Sequence, residues 1–162
     1  MQPEIKTHKF MLVGLEVEID MGVDFSVVVS TLTDKLLEKV SDIPHITQPP
    51  RTINFWYPRF ADGAPMASEP QNMFFTGVEV TSLSETPVDM STKDFPESLF
   101  AVFVEARRGT VGGPEGYAYQ TWLPTSGYKT NEQLPGDLEV YKDLLHTGYE
   151  DECKIYIPIS CI

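Results

Sequence analysis

Carboxylates are the side chains best supplied to do chemistry in this chain of 162 residues, in which 24 acidic residues oppose 12 basic ones for a formal charge of −12. Glu16 and Glu18 alternate with Leu15, Val17 and Ile19; Glu79 lies between Val78 and Val80; Glu139 lies between Leu138 and Val140, with Tyr141 two positions on. At a strand's period of two, each glutamate takes the face opposite its apolar neighbours, so the residue pattern alone puts Glu16, Glu18, Glu79 and Glu139 on the wet side of strands. A carboxylate walled by rings does something else. Aromatic faces carry negative quadrupoles, and a surplus of Trp and Tyr beside a carboxylate describes a pocket for a cation. Phe55, Trp56 and Tyr57 are consecutive, so at least one ring faces away from the main core, and Tyr117, Tyr119 and Trp122 crowd one short helix.

Other chemistries lack their residues. The segment Gly109 to Gly116 is glycine-rich but has no Gly-Lys-Ser/Thr ending to bind phosphate and magnesium, so it reads as a loop feeding a helix with Pro114 at its start. There is no Gly-x-Ser-x-Gly elbow and no cysteine in an activating setting. His8, His45 and His146 are scattered without metal-ligand spacing, so neither a metal nor a cofactor is expected. Cys153 and Cys161 lie too far apart on one extended strand to join, which suits reduced thiols in the cytoplasm. Arg107-Arg108 could dock a phosphate or carboxylate, although such a pair is more often a solvated strand end. Nothing resembles a signal peptide or a membrane span. The acidic balance opposes direct contact with nucleic acid.

The elements that must position these groups come in two similar sets. Lys9–Asp20 reads as a strand. Asp24 caps a helix over Phe25–Val40, with Phe25, Val28, Leu32, Leu36 and Val40 as its apolar stripe. Strands over Thr52–Tyr57 and Met73–Ser82 follow, with a loop from Arg59 to Gln71 between them. The polar, proline-containing stretch 83–96 reads as a linker. The order then restarts with a strand over Leu99–Ala106, a helix from Gly113-Pro114 to Gly127 in which Pro124 kinks or ends the last turn, and strands over Asp137–Lys142 and Cys153–Ile159. Matching Leu12 with Val102, Ile53 with Leu138 and Val78 with Ile155 makes residues 1–162 one domain of two pseudo-repeats, about 9–82 and 99–160. The fold class is α+β: tandem β-α-β-β units forming antiparallel sheet with helices on one side.

The run Trp122-Leu123-Pro124-x-Ser126-Gly127-Tyr128, then Leu138-Glu139-Val140-Tyr141 and Ile155-Tyr156-Ile157-Pro158-Ile159, resembles the gyrase-inhibitor-like (GyrI-like) family. Ile53 to Tyr57 and Phe75-Thr76-Gly77-Val78-Glu79-Val80 stand where that family has its matching first-half strands, so the resemblance covers about Phe10 to Ile159. The family includes effector-binding domains of AraC- and MerR-type multidrug regulators, and the chain most resembles stand-alone members carried on integron gene cassettes. The resemblance implies a cleft between the halves, lined by aromatic rings, with the glutamate of Glu-x-Tyr at its floor attracting lipophilic cations. Carried across, that residue is Glu139, with Tyr141 on the same strand face. Trp56 is the partner from the first half, and Tyr119 and Trp122 line the helix side. A slip of one residue in register would substitute Phe55 or Tyr57 for Trp56.

Regulators of the family carry a helix-turn-helix before this domain, whereas here about nine residues precede the first expected strand. The leading expectation is a non-enzymatic binder of hydrophobic cations that acts by sequestration or through a protein partner. The alternatives are a hydrolase of strained or alkylating molecules, with Glu139 as general base and Tyr141 or Trp122 orienting the substrate, and a module contacting gyrase or a separate regulator. No second well-placed acid or base is evident for the hydrolase. Exposed strand edges leave a homodimer open.

Overall fold

Two residues, Lys9 and Phe10, join strand β1 (Glu4–His8) to β2 (Met11–Glu18), and that short link dictates the shape of the sheet. The other strands are β3 (Thr52–Arg59), β4 (Gln71–Glu79), β5 (Ser91–Asp94), β6 (Ser98–Glu105), β7 (Tyr128–Thr130), β8 (Leu138–Tyr141) and β9 (Cys153–Cys161). All pair antiparallel, in the order β1-β6-β9-β8-β3-β4-β2-β5, with β7 added to β9. β1 and β2 are six strand spacings apart in that order, about 29 Å if the sheet were flat. The three Cα steps between them reach at most about 11 Å. The sheet therefore curls until its ends meet. Phe10 sits in the closure, edge-on to Phe100 at 5.5 Å and to Tyr156 at 5.3 Å. Leu12, Ile53, Phe55, Phe75, Val102, Leu138 and Val140 fill the inner face around it. The computed structural model describes residues 1–20, 22–59, 69–107, 109–142, 144 and 152–162; residues 60–68 of the expected loop, Arg108 and His146 lie outside them.

Both helices lie on the outer face. Helix α1 (Phe25–Lys39) starts where Asp24 accepts the Ser26 N–H at 3.0 Å. Its Leu36 packs with Val13 and Val78, and its Val29 and Leu32 pack with Ile19 and Phe74, so it covers β2 and β4. Phe25, expected on the apolar stripe, is half exposed at the helix start. On the other side, a π-helical turn (Ala118–Trp122) runs into α2 (Leu123–Ser126) and seats Ala118 and Trp122 on Phe103, Ile155 and Ile157. Pro124 does not end this helix but stands in the first turn of α2. It has no N–H for the carbonyl four residues back, and the wider turn before it, closed by Leu123 N–H on the Ala118 carbonyl, absorbs the mismatch. Gly127 then terminates the helix at φ +80°, a conformation that glycine adopts without strain.

The remaining departures from the sequence expectations share one cause, the curl. The N-terminal residues are not a lead-in: Glu4–His8 forms β1 on the edge of β6. The expected linker carries β5, which pairs with the free side of β2. Glu79, expected on a wet face, is only 5% exposed, because β4 is covered on both faces. Its carboxylate instead receives His8 Nε2 at 2.5 Å and the Arg51 guanidinium. At the opposite corner of the inner face, Glu16 accepts the Tyr57 hydroxyl and pairs with Lys93 at 2.9 Å.

Candidate functional site

Between the two helices, β3 and β8 run side by side at the seam of the sheet. Asn54 stands opposite both Thr76 and Glu139, and Trp56 stands opposite Phe74. Directly paired residues share a face, so Asn54, Trp56, Glu139 and Tyr141 all point to the outer side, between the helices. Phe55 and Tyr57 point the other way, stacked or tilted against Phe75 and each other. Thr76 donates to Asn54 Oδ1 at 2.6 Å, which satisfies a buried acceptor beside the site. The Tyr141 hydroxyl donates to Glu139 Oε2 at 2.8 Å, while the Tyr141 ring is buried in the core under the second helix.

A cleft of about 320 Å³ opens above Trp56 and Glu139. Glu139 and Ile155 form its floor, and Trp56 forms one wall. The glycine-rich loop from Gly109 to Pro114 forms the other, and the carboxylates of Glu105 and Asp137 line it as well. Trp56 is held at a fixed tilt by Phe74, with ring centroids 4.5 Å apart, and meets Phe25 edge-on at 5.3 Å. The loop is fastened from beneath by the two acids: Val111 N–H donates to Glu105 Oε1 at 2.9 Å, and Gly113 N–H donates to Asp137 Oδ2 at 3.2 Å.

Asp137 is an acid of the cleft whose pKa is perturbed. Burial pushes its carboxyl above the usual range and the charge of Glu105 adds to this, while the bonds from Tyr119 and Gly113 offset part of the rise. The Tyr119 hydroxyl donates to Asp137 Oδ1 at 2.5 Å, and burial followed by that neighbouring charge drives the phenol strongly upward. A positive charge entering the cleft therefore meets groups whose ionised forms are short of solvation.

Of the residues singled out in the sequence, Trp56 and Glu139 line the cleft, whereas the Tyr141 ring is buried in the core and meets the site only through its hydroxyl on Glu139. Tyr119 reaches the cleft through its bond to Asp137, and its ring lines an adjoining cavity. Trp122 does not line the cleft. Its indole is buried against Phe103, edge-on at 5.5 Å, and stacks on Tyr128 at 5.9 Å. Asp137 and Glu105 were overlooked. The signal for Asp137 was its place two residues before Glu139 on the same strand face. The signal for Glu105 was the two-residue rhythm after Ala101 and Phe103, which puts a carboxylate on a buried face. Among the described residues, no group of three His, Cys, Asp or Glu side chains is placed to hold a metal ion. No helix among them is long and apolar enough to cross a membrane.

Residues 5–159 match the sequence model of the Cass2 family, described as integron-associated effector binding protein. The chain belongs to the integron-associated effector-binding protein family. Solved structures extend the likeness of this family member at the level of the fold. EcmrR in a complex with DNA superposes with a TM-score of 0.65 at 13% identity, over 99% of this chain and 58% of EcmrR, so the chain spans little more than half of that protein. The EcmrR C-terminal domain alone gives a TM-score of 0.62 at 13% identity, over 99% of this chain and 98% of the domain. SAV2435 bound to tetraphenylphosphonium gives 0.59 at 14% identity, over 99% of this chain and 94% of SAV2435. Comparison by sequence with curated proteins finds no match.

Proposed function

We propose that the cleft between the helices binds hydrophobic organic cations as effectors. The observation that carries this reading is the convergence of Glu139, Asp137 and Glu105 with the Trp56 indole on one cleft of about 320 Å³. Charge attraction selects the sign of the ligand, and the ring and the apolar floor supply affinity. One well-placed cation–π contact contributes roughly 0.5–2 kcal/mol, and apolar burial adds about 25 cal/mol per Å². SAV2435, solved with a lipophilic phosphonium, supports the same ligand class. On this reading the chain is a pair of β-α-β-β pseudo-repeats, about 9–82 and 99–160, whose seam forms the receptor. It works in the cytoplasm by capturing its ligand or through a protein partner, and the charge of −12 disfavours nucleic acid as that partner.

The test is Glu139→Gln, titrated with a cationic dye and a neutral isostere. A unit charge about 6 Å from the carboxylate at an effective dielectric near 20 is worth roughly 3 kcal/mol. Partial exposure of Glu139 reduces this, so the expected loss for the cation is about tenfold or more, with the neutral compound changed less than about threefold. Equal losses for both compounds remove the electrostatic part of the proposal.

One observation favours a second reading. Asp137 and Glu139 are two carboxyls lining one cleft, the first held up in pKa, which suits an acid and a base in a hydrolase of alkylating molecules. Turnover of such a substrate by the native protein, lost in Glu139→Gln while the fold persists, would establish it.

A further inference from the structure

Asp137 lines two cavities. One is the cleft. The other, of about 340 Å³, is bounded by Pro58, Tyr119, Thr130, Leu134, Pro135 and Pro158. Trp56 lines the first and Pro58 the second. Standing two residues apart on β3, they share a face and are separated by about 6.8 Å. The two cavities are therefore neighbours, with Asp137 common to both. The partition between them is a contact of side chains, the Tyr119 hydroxyl on Asp137 Oδ1 at 2.5 Å. Their linings differ in kind. The cleft gathers three carboxylates, of which the second cavity shares Asp137; the rest of the second cavity is walled mainly by Pro58, Pro135, Pro158, Leu134 and the Tyr119 ring, with Thr130, Asn131 and the exposed Glu132 as its other polar side chains.

We propose that the two cavities are successive compartments of one groove, the second taking the apolar tail of an amphiphilic cation whose charged head lies among the cleft carboxylates. This rests on the reading of the cleft given above. A cationic head at Asp137 competes with the Tyr119 hydroxyl for the same carboxylate, so seating the head loosens the partition that the tail must pass. Proline walls have little conformational freedom to lose, so the tail compartment is largely preformed.

The experiment is a calorimetric titration of the full chain with n-alkyltrimethylammonium ions from butyl to octyl, below their micelle concentrations. With native protein, affinity is expected to rise about fourfold for each added methylene that enters the compartment. Thr130→Trp fills the compartment from its wall. It is expected to flatten that rise while leaving the butyl affinity within about twofold of native, because the butyl ion occupies the cleft alone. Glu132→Trp fills it from the rim and gives the same readout if Thr130→Trp lowers the melting temperature. If butyl binds but chain length has no effect, or if both folded Trp variants keep the full rise, the second compartment is overturned and the cleft stands. If no member of the series binds, the cleft reading fails and this inference falls with it.

Discussion

Replacing Glu79 by Gln tests the closure of the sheet. Glu79 is 5% exposed, and its two partners come from the far end of the strand order and from the segment before β3. His8 Nε2 lies 2.5 Å from Oε2, and the Arg51 guanidinium donates to Oε1. Burial raises the carboxyl's pKa, but the bonds from His8 and Arg51 and the Arg51 charge outweigh it, so Glu79 titrates below its ordinary value. Glutamine keeps the shape, removes the charge, and turns an N–H₂ toward one of the two donors. Breaking a buried pair by neutralising one partner costs about 3–5 kcal/mol. The side chains of His8 and Arg51 keep 31% and 25% exposure, so water recovers part of that loss. The expected cost is then about 2–4 kcal/mol, which for a domain of this length lowers the melting temperature by roughly 5–15 °C.

The pH dependence supplies the refutation. A carboxylate whose folded pKa lies below its unfolded value of 4.5 stabilises fully above that value, and the contribution is lost as pH falls through the folded pKa. Thermal melts at pH 7 should therefore show the full gap between native protein and Glu79→Gln, and the gap should close steadily below pH 4.5. Glu18→Gln, on an exposed position bonded to Gln71, serves as a control expected to change stability by less than about 0.5 kcal/mol. A melting temperature for Glu79→Gln within about 1 °C of native at pH 7, or a gap that persists unchanged at pH 3, would refute the role given to the Glu79 contacts with His8 and Arg51.

Two further outcomes follow from the geometry. Gly77 faces Gly14 across β2 and β4, and a Cβ on it would stand 2.6 Å from the Val13 carbonyl oxygen, so Gly77→Ala should cost about 1–3 kcal/mol in a denaturant titration. An alanine tolerated within about 0.5 kcal/mol would mean the strands are not this close. The chain has two tryptophans, and Trp56 alone of the two lines the cleft. Quenching of indole fluorescence by a bound cation should accordingly survive Trp122→Phe and vanish in Trp56→Phe, and the reverse pattern would move the ligand to the other side of the second helix.

What could be read from the sequence was local. The alternation of Leu15, Val17 and Ile19, the Asp24 cap, and the aromatic and β-branched run of β3 announce their elements, because each depends on neighbours within a few residues. Glu79 was misread because alternation reports a face and not what covers it. In a curled sheet the face away from the helices is interior, and the partners of Glu79 lie 71 and 28 positions away. Trp122 was misplaced for a different reason. Its helix winds for one turn with the wider π repeat, which shifts the phase of every side chain after Ala118 relative to an α-helical count. The choice among Phe55, Trp56 and Tyr57 was a question of register, decided by the pairing of Asn54 with Glu139.

The position of the cleft follows from the strand order. Inside the edge strands β1 and β5, and leaving aside the three-residue β7 that the second set adds on β9, β6-β9-β8 and β2-β4-β3 are each the first, third and second strand of a strand-helix-strand-strand set. Each helix follows the first strand of its set and packs on the first and third strands, since these are where its apolar side chains find Phe74 and Val78 on one side and Phe103 and Ile155 on the other. The second strands, β3 and β8, are left to pair with each other at the seam. At this seam Asn54 is buried and the Tyr141 ring lies under the second helix, while Trp56 and Glu139 stay partly exposed and line the cleft. On the proposed reading, Trp56 and Glu139 at this seam supply affinity and charge selection, while the loop from Gly109 to Pro114, fastened by Glu105 and Asp137, supplies the facing wall.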